Sequence, residues 1–219
     1  MTPRYLLKSF LPALLLVLCV CGPLTARTIT LTAEDCDQIA VLSAKAPRLS
    51  WACCQLAPGV SDTAHQLQMY QDMALLMRFP MERIPKDQRI TKAELTLKAN
   101  HVDNNPHLHM RRLLAEWGPG VCHLYRTTQP RKIEWKEAGA RGVTTDRANR
   151  ESAVFNIPSA GEYTKDVTED IELWYTGAVA NRGWIFTLDS GFSLSLPSPY
   201  SPATASGKEW KLRITYEPK

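Results

Sequence analysis

Residues 74–99 read ALLMRFPMERIPKDQRITKAELTLKA, and this stretch decides the fold. Leu75, Met77 and Phe79 share one side of an extended chain. After the short turn around Pro80, Ile84 and Pro85, Ala93, Leu95, Leu97 and Ala99 share one side of a second, with Thr91, Glu94, Thr96 and Lys98 mostly opposite. A period of two is the mark of a strand with one face in a core and one in water. Two such runs joined by a Pro-bearing turn predict paired strands, and an all-β domain with them.

The rest of the chain extends this pattern outward. Thr28 to Thr32, Ile39 to Leu42 and Gln66 to Tyr70 are short β-prone runs. Leu108 to Glu116 is predicted as a further strand that stops at the turn-forming Glu116-Trp117-Gly118-Pro119-Gly120. Near the end, Trp210, Leu212, Ile214 and Tyr216 alternate with Lys211, Arg213 and Thr215, as expected of a half-buried final strand. One helix interrupts the β pattern, near residues 167–176. Val167, Ile171 and Trp174 form its apolar stripe, and Gly177 supplies a left-handed stop. Asp166 with Glu169 three residues on is written like a capping box.

Two blocks resemble a known family. The phrase L-L-x-R-F, I-P, I-x-x-A-x-L-x-L within residues 75–97 resembles the opening of DNRLRE domains, which are β-sandwich modules related to carbohydrate-binding module family 96. Asp166-Val167-Thr168 through Ile171, Trp174 and Gly177, followed by Asn181-Arg182-Gly183-Trp184, is similar to the same family's D-V-T-x-x-I-x-x-W-x-x-G and N-x-G-W blocks. Arg112-Leu113-Leu114-Ala115-Glu116-Trp117 and Trp135 look like the two family tryptophans between them. The resemblance covers about residues 74–218. It implies an antiparallel β-sandwich of the jelly-roll type and a binding module rather than an enzyme. The chain departs from the family before residue 74, where Glu34, Asp35 and Asp37 are only loosely similar to its acidic opening. No cofactor is expected, and a structural calcium ion has no support from these three acids.

The ends and the composition set the compartment. Arg4 and Lys8 precede an apolar run from Phe10 to Cys21, and Gly22 to Ala26 form a small-residue exit. That order predicts a secretory signal peptide over residues 1–26 and a single β-sandwich domain over 27–219. The apolar run is too short for a membrane span, which needs roughly 20 residues. Loss of Arg4 and Lys8 lowers the net charge of +4 to +2, far from a nucleic-acid-binding composition. Export also makes disulfides the natural reading of Cys36, Cys53, Cys54 and Cys122. Vicinal cysteines rarely bridge each other. Cys53 and Cys54 are thus expected to reach Cys36 and Cys122 in either order, with one bridge and two free thiols as the alternative.

Catalytic motifs are missing: the chain has no Gly-x-Ser-x-Gly elbow, P-loop or His-Glu-x-x-His. His107 and His109 stand at strand spacing, but no third metal ligand is written nearby and no metal site is expected. The strongest binding signal is basic. Residues 126–150 hold seven cations against three acids, a local net of +4, with Tyr125 and Trp135 interleaved. Tyr125 and Trp135 stacked on sugar rings, with Arg131, Lys132 and Arg141 gripping carboxylates or sulfates, would suit an acidic polysaccharide. The competing reading packs Trp135 inward as core. The chain is therefore expected to be a secreted, non-catalytic module, extracellular or in the cell envelope, that binds carbohydrate. The alternative is a structural or adhesion element of a surface assembly, with neither nucleic acid nor a membrane span involved.

Overall fold

The structure, a computed structural model, describes residues 25–52, 66–199 and 207–219. In chain order the strands are β1 (Arg27–Thr32), β2 (Gln38–Ser43), β3 (Trp51–Ala52), β4 (Gln66–Tyr70), β5 (Met73–Arg78), β6 (Gln88–Ala99), β7 (His101–Asp103) and β8 (His107–Arg112). Next come β9 (Tyr125–Thr127), β10 (Ile133–Glu134), β11 (Ala153–Asn156) and β12 (Gly161–Asp166). Helix α1 (Thr168–Tyr175) then precedes β13 (Trp184–Leu188), β14 (Ser193–Pro197) and β15 (Lys211–Pro218). The predicted leader lies outside the described residues, except for its last two positions. Among the described residues no helix is long and apolar enough to cross a membrane.

The protein is an antiparallel β-sandwich of the jelly-roll type with one short helix. One sheet runs β1-β15-β6-β12, and it packs against a six-stranded sheet ordered β11-β8-β13-β5-β2-β3. A three-stranded sheet, β4-β14-β7, extends the same core, and β9 pairs with β10 in the connection after β8. The alternation of 88–99 is realised in β6: Ala93, Leu95, Leu97 and Ala99 are buried, whereas Glu94, Thr96 and Lys98 keep solvent contact. Leu95 sits beside Leu212 and Leu97 beside Tyr163, so one face of every strand in this sheet feeds the same core. Trp210, just before β15, and Leu212 and Ile214 within it are fully buried, as the final alternation requires.

The six-stranded sheet departs from expectation. β5 is buried on both faces, because Leu75 and Met77 enter the inter-sheet core while Ala74 and Leu76 enter a second apolar cluster on the sheet's outer side. Leu113, Trp117, Val121, Trp135 and Ala140 cover that side, packing on Ala74 and Leu76 and on their sheet neighbours Ala40, Leu42 and Ile185. The strand predicted to run to Glu116 ends at Arg112, and the chain turns away to build this cover. There the Leu114 and Ala115 N–H groups donate to the Asp146 carbonyl at 2.8 and 3.2 Å.

Helix α1 lies where its apolar stripe predicts, but its cap differs. The Asp166 carboxylate accepts the Thr168 N–H at 2.8 Å, and bonds from Thr168 hold its pKa below the usual carboxylate range. The capping box is not formed, because Glu169 pairs instead with Arg150 at 2.7 Å and Val167 occupies the cap position. Beneath the helix, Trp174 packs 4.6 Å from Trp184. The Trp184 indole N–H donates to the buried Asp170 at 2.7 Å, and Asp170 also holds the Arg112 Nε at 3.1 Å. This pairing keeps the charge of Asp170 compensated inside the core.

Among the described residues there is no disulfide: Cys36 and Cys122 are free thiols, and their expected partners Cys53 and Cys54 lie outside the described residues. Burial, then Asp37 and Asp35, push the Cys36 thiol well above its ordinary pKa, which keeps it protonated and unreactive. Cys122 is fully enclosed, and its carbonyl is used to hold Trp135.

Candidate functional site

The five residues proposed from sequence do not converge. The Trp135 ring is only 4% exposed, and its N–H donates to the Cys122 carbonyl at 2.9 Å, so it belongs to the outer apolar cluster. Tyr125 is half-buried with the Lys132 ammonium 5.5 Å from its ring centre, and Arg131 is exposed on the β9–β10 connection. Arg141 alone of the five faces a concave surface. The acids of the chain's opening are spent in pairing: Asp37 with Arg78 at 2.8 Å, and Asp35 with Arg83 at 3.5 Å. Among the described residues no group of three or more His, Cys, Asp or Glu side chains is arranged to hold a metal ion.

That concave surface is a groove of three clefts that adjoin through shared lining residues. The first, about 490 Å³, is bordered by Lys45, Tyr70, Asp103, Asn104 and Phe192. The second, about 360 Å³, shares Gln71 and Asp72 with the first and adds His123 and Arg141. The third, about 220 Å³, shares Arg141 and Leu188 with the second and adds His109, Arg111, Arg147 and Asp189. The first two clefts draw mainly on strand ends and connections, which in a sandwich carry variable function, whereas the third lies against His109 and Arg111 of β8 and Thr187 and Leu188 of β13. Asn104, Asn105 and Gly191 bend two of these connections through left-handed backbone, with φ of 60°, 55° and 84°. Asn and Gly tolerate that conformation best.

The groove's two ends differ in chemistry. At one end Tyr70 is an exposed aromatic, 41% accessible, with the Lys45 ammonium 5.3 Å from its ring centre. At the other, Arg111, Arg141 and Arg147 border a single cleft. Arg141 donates to the Gln71 carbonyl, which ties the cover to the β4–β5 turn, and Arg111 pairs with Glu151. His109 lies 2.6 Å from Glu151 and 2.8 Å from Asp189, and His107 lies 3.3 Å from Asp189. The histidine pair thus shares a polar network with Asp189 and Glu151.

The positions of Arg141 and Arg147 follow from a turn that the charge pattern does not reveal. The buried Asp146 carboxylate accepts the N–H groups of Lys136 and Glu137 at 2.9 Å each and of Gly142 at 3.1 Å. A side chain at Gly142 would come within 2.6 Å of that carboxylate, so the turn needs glycine there. Arg141 and Arg147 flank the turn and are held toward the same cleft. No family model matches the chain. No curated protein matches it.

Among the groove residues, Tyr70, Arg111 and Arg147 were not legible as site residues. Tyr70 reads as the end of a strand, and Arg111 as the outward member of another. Arg147 reads as one charge among many in a basic stretch. Only the Tyr70-Gln71-Asp72 sequence, an aromatic beside polar turn residues, carries a local hint.

Proposed function

We propose that this protein is a secreted, non-catalytic module that binds extracellular carbohydrate, and acidic polysaccharide in particular, along the groove described above. The observation that carries the reading is the groove's continuity from an exposed tyrosine to an arginine cluster. A linear polymer can stack a sugar ring on Tyr70 while an acidic substituent two or three residues along meets Arg141. The resemblance of residues 74–99 and 166–184 to DNRLRE domains supports the same class, as does a leader-like N-terminus, which puts the module where such polymers occur. Tyr125, Arg131, Lys132 and Trp135 leave the proposed site; Arg141 stays in it.

The test is a glycan array with neutral and acidic polysaccharides, followed by titration of the strongest binders against wild type and Tyr70→Ala. The expected result is binding to acidic polymers that weakens about tenfold in the variant, equivalent to about 1.4 kcal/mol. It should also weaken between 0.01 and 0.15 M salt, as the Debye length falls from about 30 to about 8 Å. Absence of binding to every glycan would favour a structural or adhesion role instead.

A further inference from the structure

Among the described residues, no acid forms an ion pair with Arg147. Its guanidinium makes no hydrogen bond and no ion pair with any described residue, and its Nε–H is shut off from water without an acceptor. Burial, followed by the nearby charges of Arg111 and Arg141, lowers its pKa from the ordinary arginine value, and Glu137 and Glu151 only partly offset this. A protein does not keep a half-buried cation beside two more cations without cost, since desolvation and like charge both oppose it. Of the neighbouring acids, Glu137 is exposed and makes no ion pair with Arg147, and the others are committed. Glu151 is held by Arg111 and His109, and Asp189 by His109 and His107. The carboxylate within the turn, Asp146, is saturated by three backbone donors. The cleft of about 220 Å³ that Arg111, Arg141 and Arg147 border with His109 and Asp189 has the size for one sugar substituent rather than a whole chain.

We infer that Arg147, with Arg111 and Arg141, forms a subsite for the sulfate ester of a sulfated polysaccharide. The geometry favours a tetrahedral group over a carboxylate. One arginine fork already matches the plane of one carboxylate, as in the Arg78–Asp37 pair, where Nε donates to both Asp37 oxygens at 2.9 Å and Nη2 lies 2.8 Å from one of them. Three guanidinium groups around one cleft instead suit an anion whose three terminal oxygens point in different directions. Arg111 and Arg141 each spend a donor elsewhere, on Glu151 and on the Gln71 carbonyl, and Arg147 spends none. Arg147 is therefore the principal binding residue and the other two are flanking donors. The polymer part of this inference rests on the carbohydrate reading; the anion part does not.

The experiment separates the two. Full-length secreted protein labelled with ¹⁵N-arginine is titrated with sodium sulfate, against sodium chloride of equal ionic strength, and the Arg147 Nε–Hε resonance is followed. Arg147→Gln assigns the signal. The expected result is a saturable shift at Arg147 with sulfate only. In parallel, affinity for a sulfated polymer should fall at least tenfold in Arg147→Gln and partly recover in Arg147→Lys. Affinity for a polyuronate of equal charge density should change less than threefold. Arg131→Ser with Lys132→Ser, outside the groove, should leave sulfate binding unchanged. A sulfate shift at Arg147 without affinity for any polymer would keep the anion site and overturn the polysaccharide reading. Sulfated-polymer binding indifferent to Arg147→Gln would keep that reading and overturn the subsite. Equal losses for sulfated polymer and polyuronate would overturn the sulfate preference. Absence of a sulfate-specific shift would overturn the anion site.

Discussion

Both faces of the central strands β2, β5 and β13 of the six-stranded sheet are largely buried, yet by different means. On the inner face Leu75, Met77, Met110 and Phe186 meet a second sheet whose strands repeat the same alternation, Leu95, Leu97, Leu212 and Ile214 among them. On the outer face Ala40, Leu42, Ala74, Leu76 and Ile185 meet Leu113, Trp117, Val121, Trp135 and Ala140, which come from a largely irregular connection. The inner contact is held by sheet registers on both sides. The outer one is held by polar staples: the Asp146 carboxylate, the Trp117 N–H donating to the Arg182 carbonyl at 2.8 Å, and the Trp135 N–H on the Cys122 carbonyl. Regular pairing builds the frame, and side-chain-to-backbone bonds fasten the cover that shapes the cationic end of the groove.

That contrast predicts a ranking of effects. Trp184→Ala should be the most damaging change, at about 5 kcal/mol by chemical denaturation. It empties a fully buried site against Trp174 and Phe79 and strands Asp170 without the indole donor. A cost below about 2 kcal/mol would mean that the inner core repacks freely and that the contrast is wrong. Asp146→Ala should cost less, about 3 kcal/mol, because water can reach part of the released turn and replace some of the three lost acceptors. Hydrogen exchange should then accelerate over residues 121–148 and leave β6 and β15 protected. Uniform acceleration would show that cover and frame unfold as one unit.

The smallest effect concerns pH. Burial, then Arg141, depress the His123 pKa below its ordinary 6.5, with Asp72 offsetting a little. The unfolded chain thus takes up this proton more readily than the folded one, and stability rises with pH across that window. The contribution is complete above about pH 6.5 and is lost progressively as pH falls toward the folded-state value. Wild type should therefore lose slightly more stability than His123→Gln between pH 7.5 and pH 5, read as denaturation midpoints. An identical pH response in both proteins would remove His123 from the account of the cover.

How far the sequence carried depends on how local the deciding interaction is. The alternations in β6 and β15 and the stripe Val167, Ile171, Trp174 were legible, because a strand or helix facing one core imposes its period on neighbouring residues. The same logic misread β5 and the segment after Arg112. A strand covered on both faces has no alternation to display, and its cover is a loop whose apolar residues follow no period. Asp146 illustrates the limit: counted as a charge it weakens a basic patch, whereas folded it is the acceptor that positions Arg141 and Arg147.

By itself the sequence determined the all-β class, the single helix and the identity of the inner core, since these rest on periodicity and hydrophobic burial within short windows. The tertiary structure alone decided that Trp135 is core, that His107 and His109 share Asp189, and that Tyr70 and Arg147 lie along one groove. His107 and His109 stand 82 and 80 positions from Asp189, and Tyr70 stands 77 from Arg147; which charges and rings meet is set by sheet order and loop closure, neither of which leaves a local imprint.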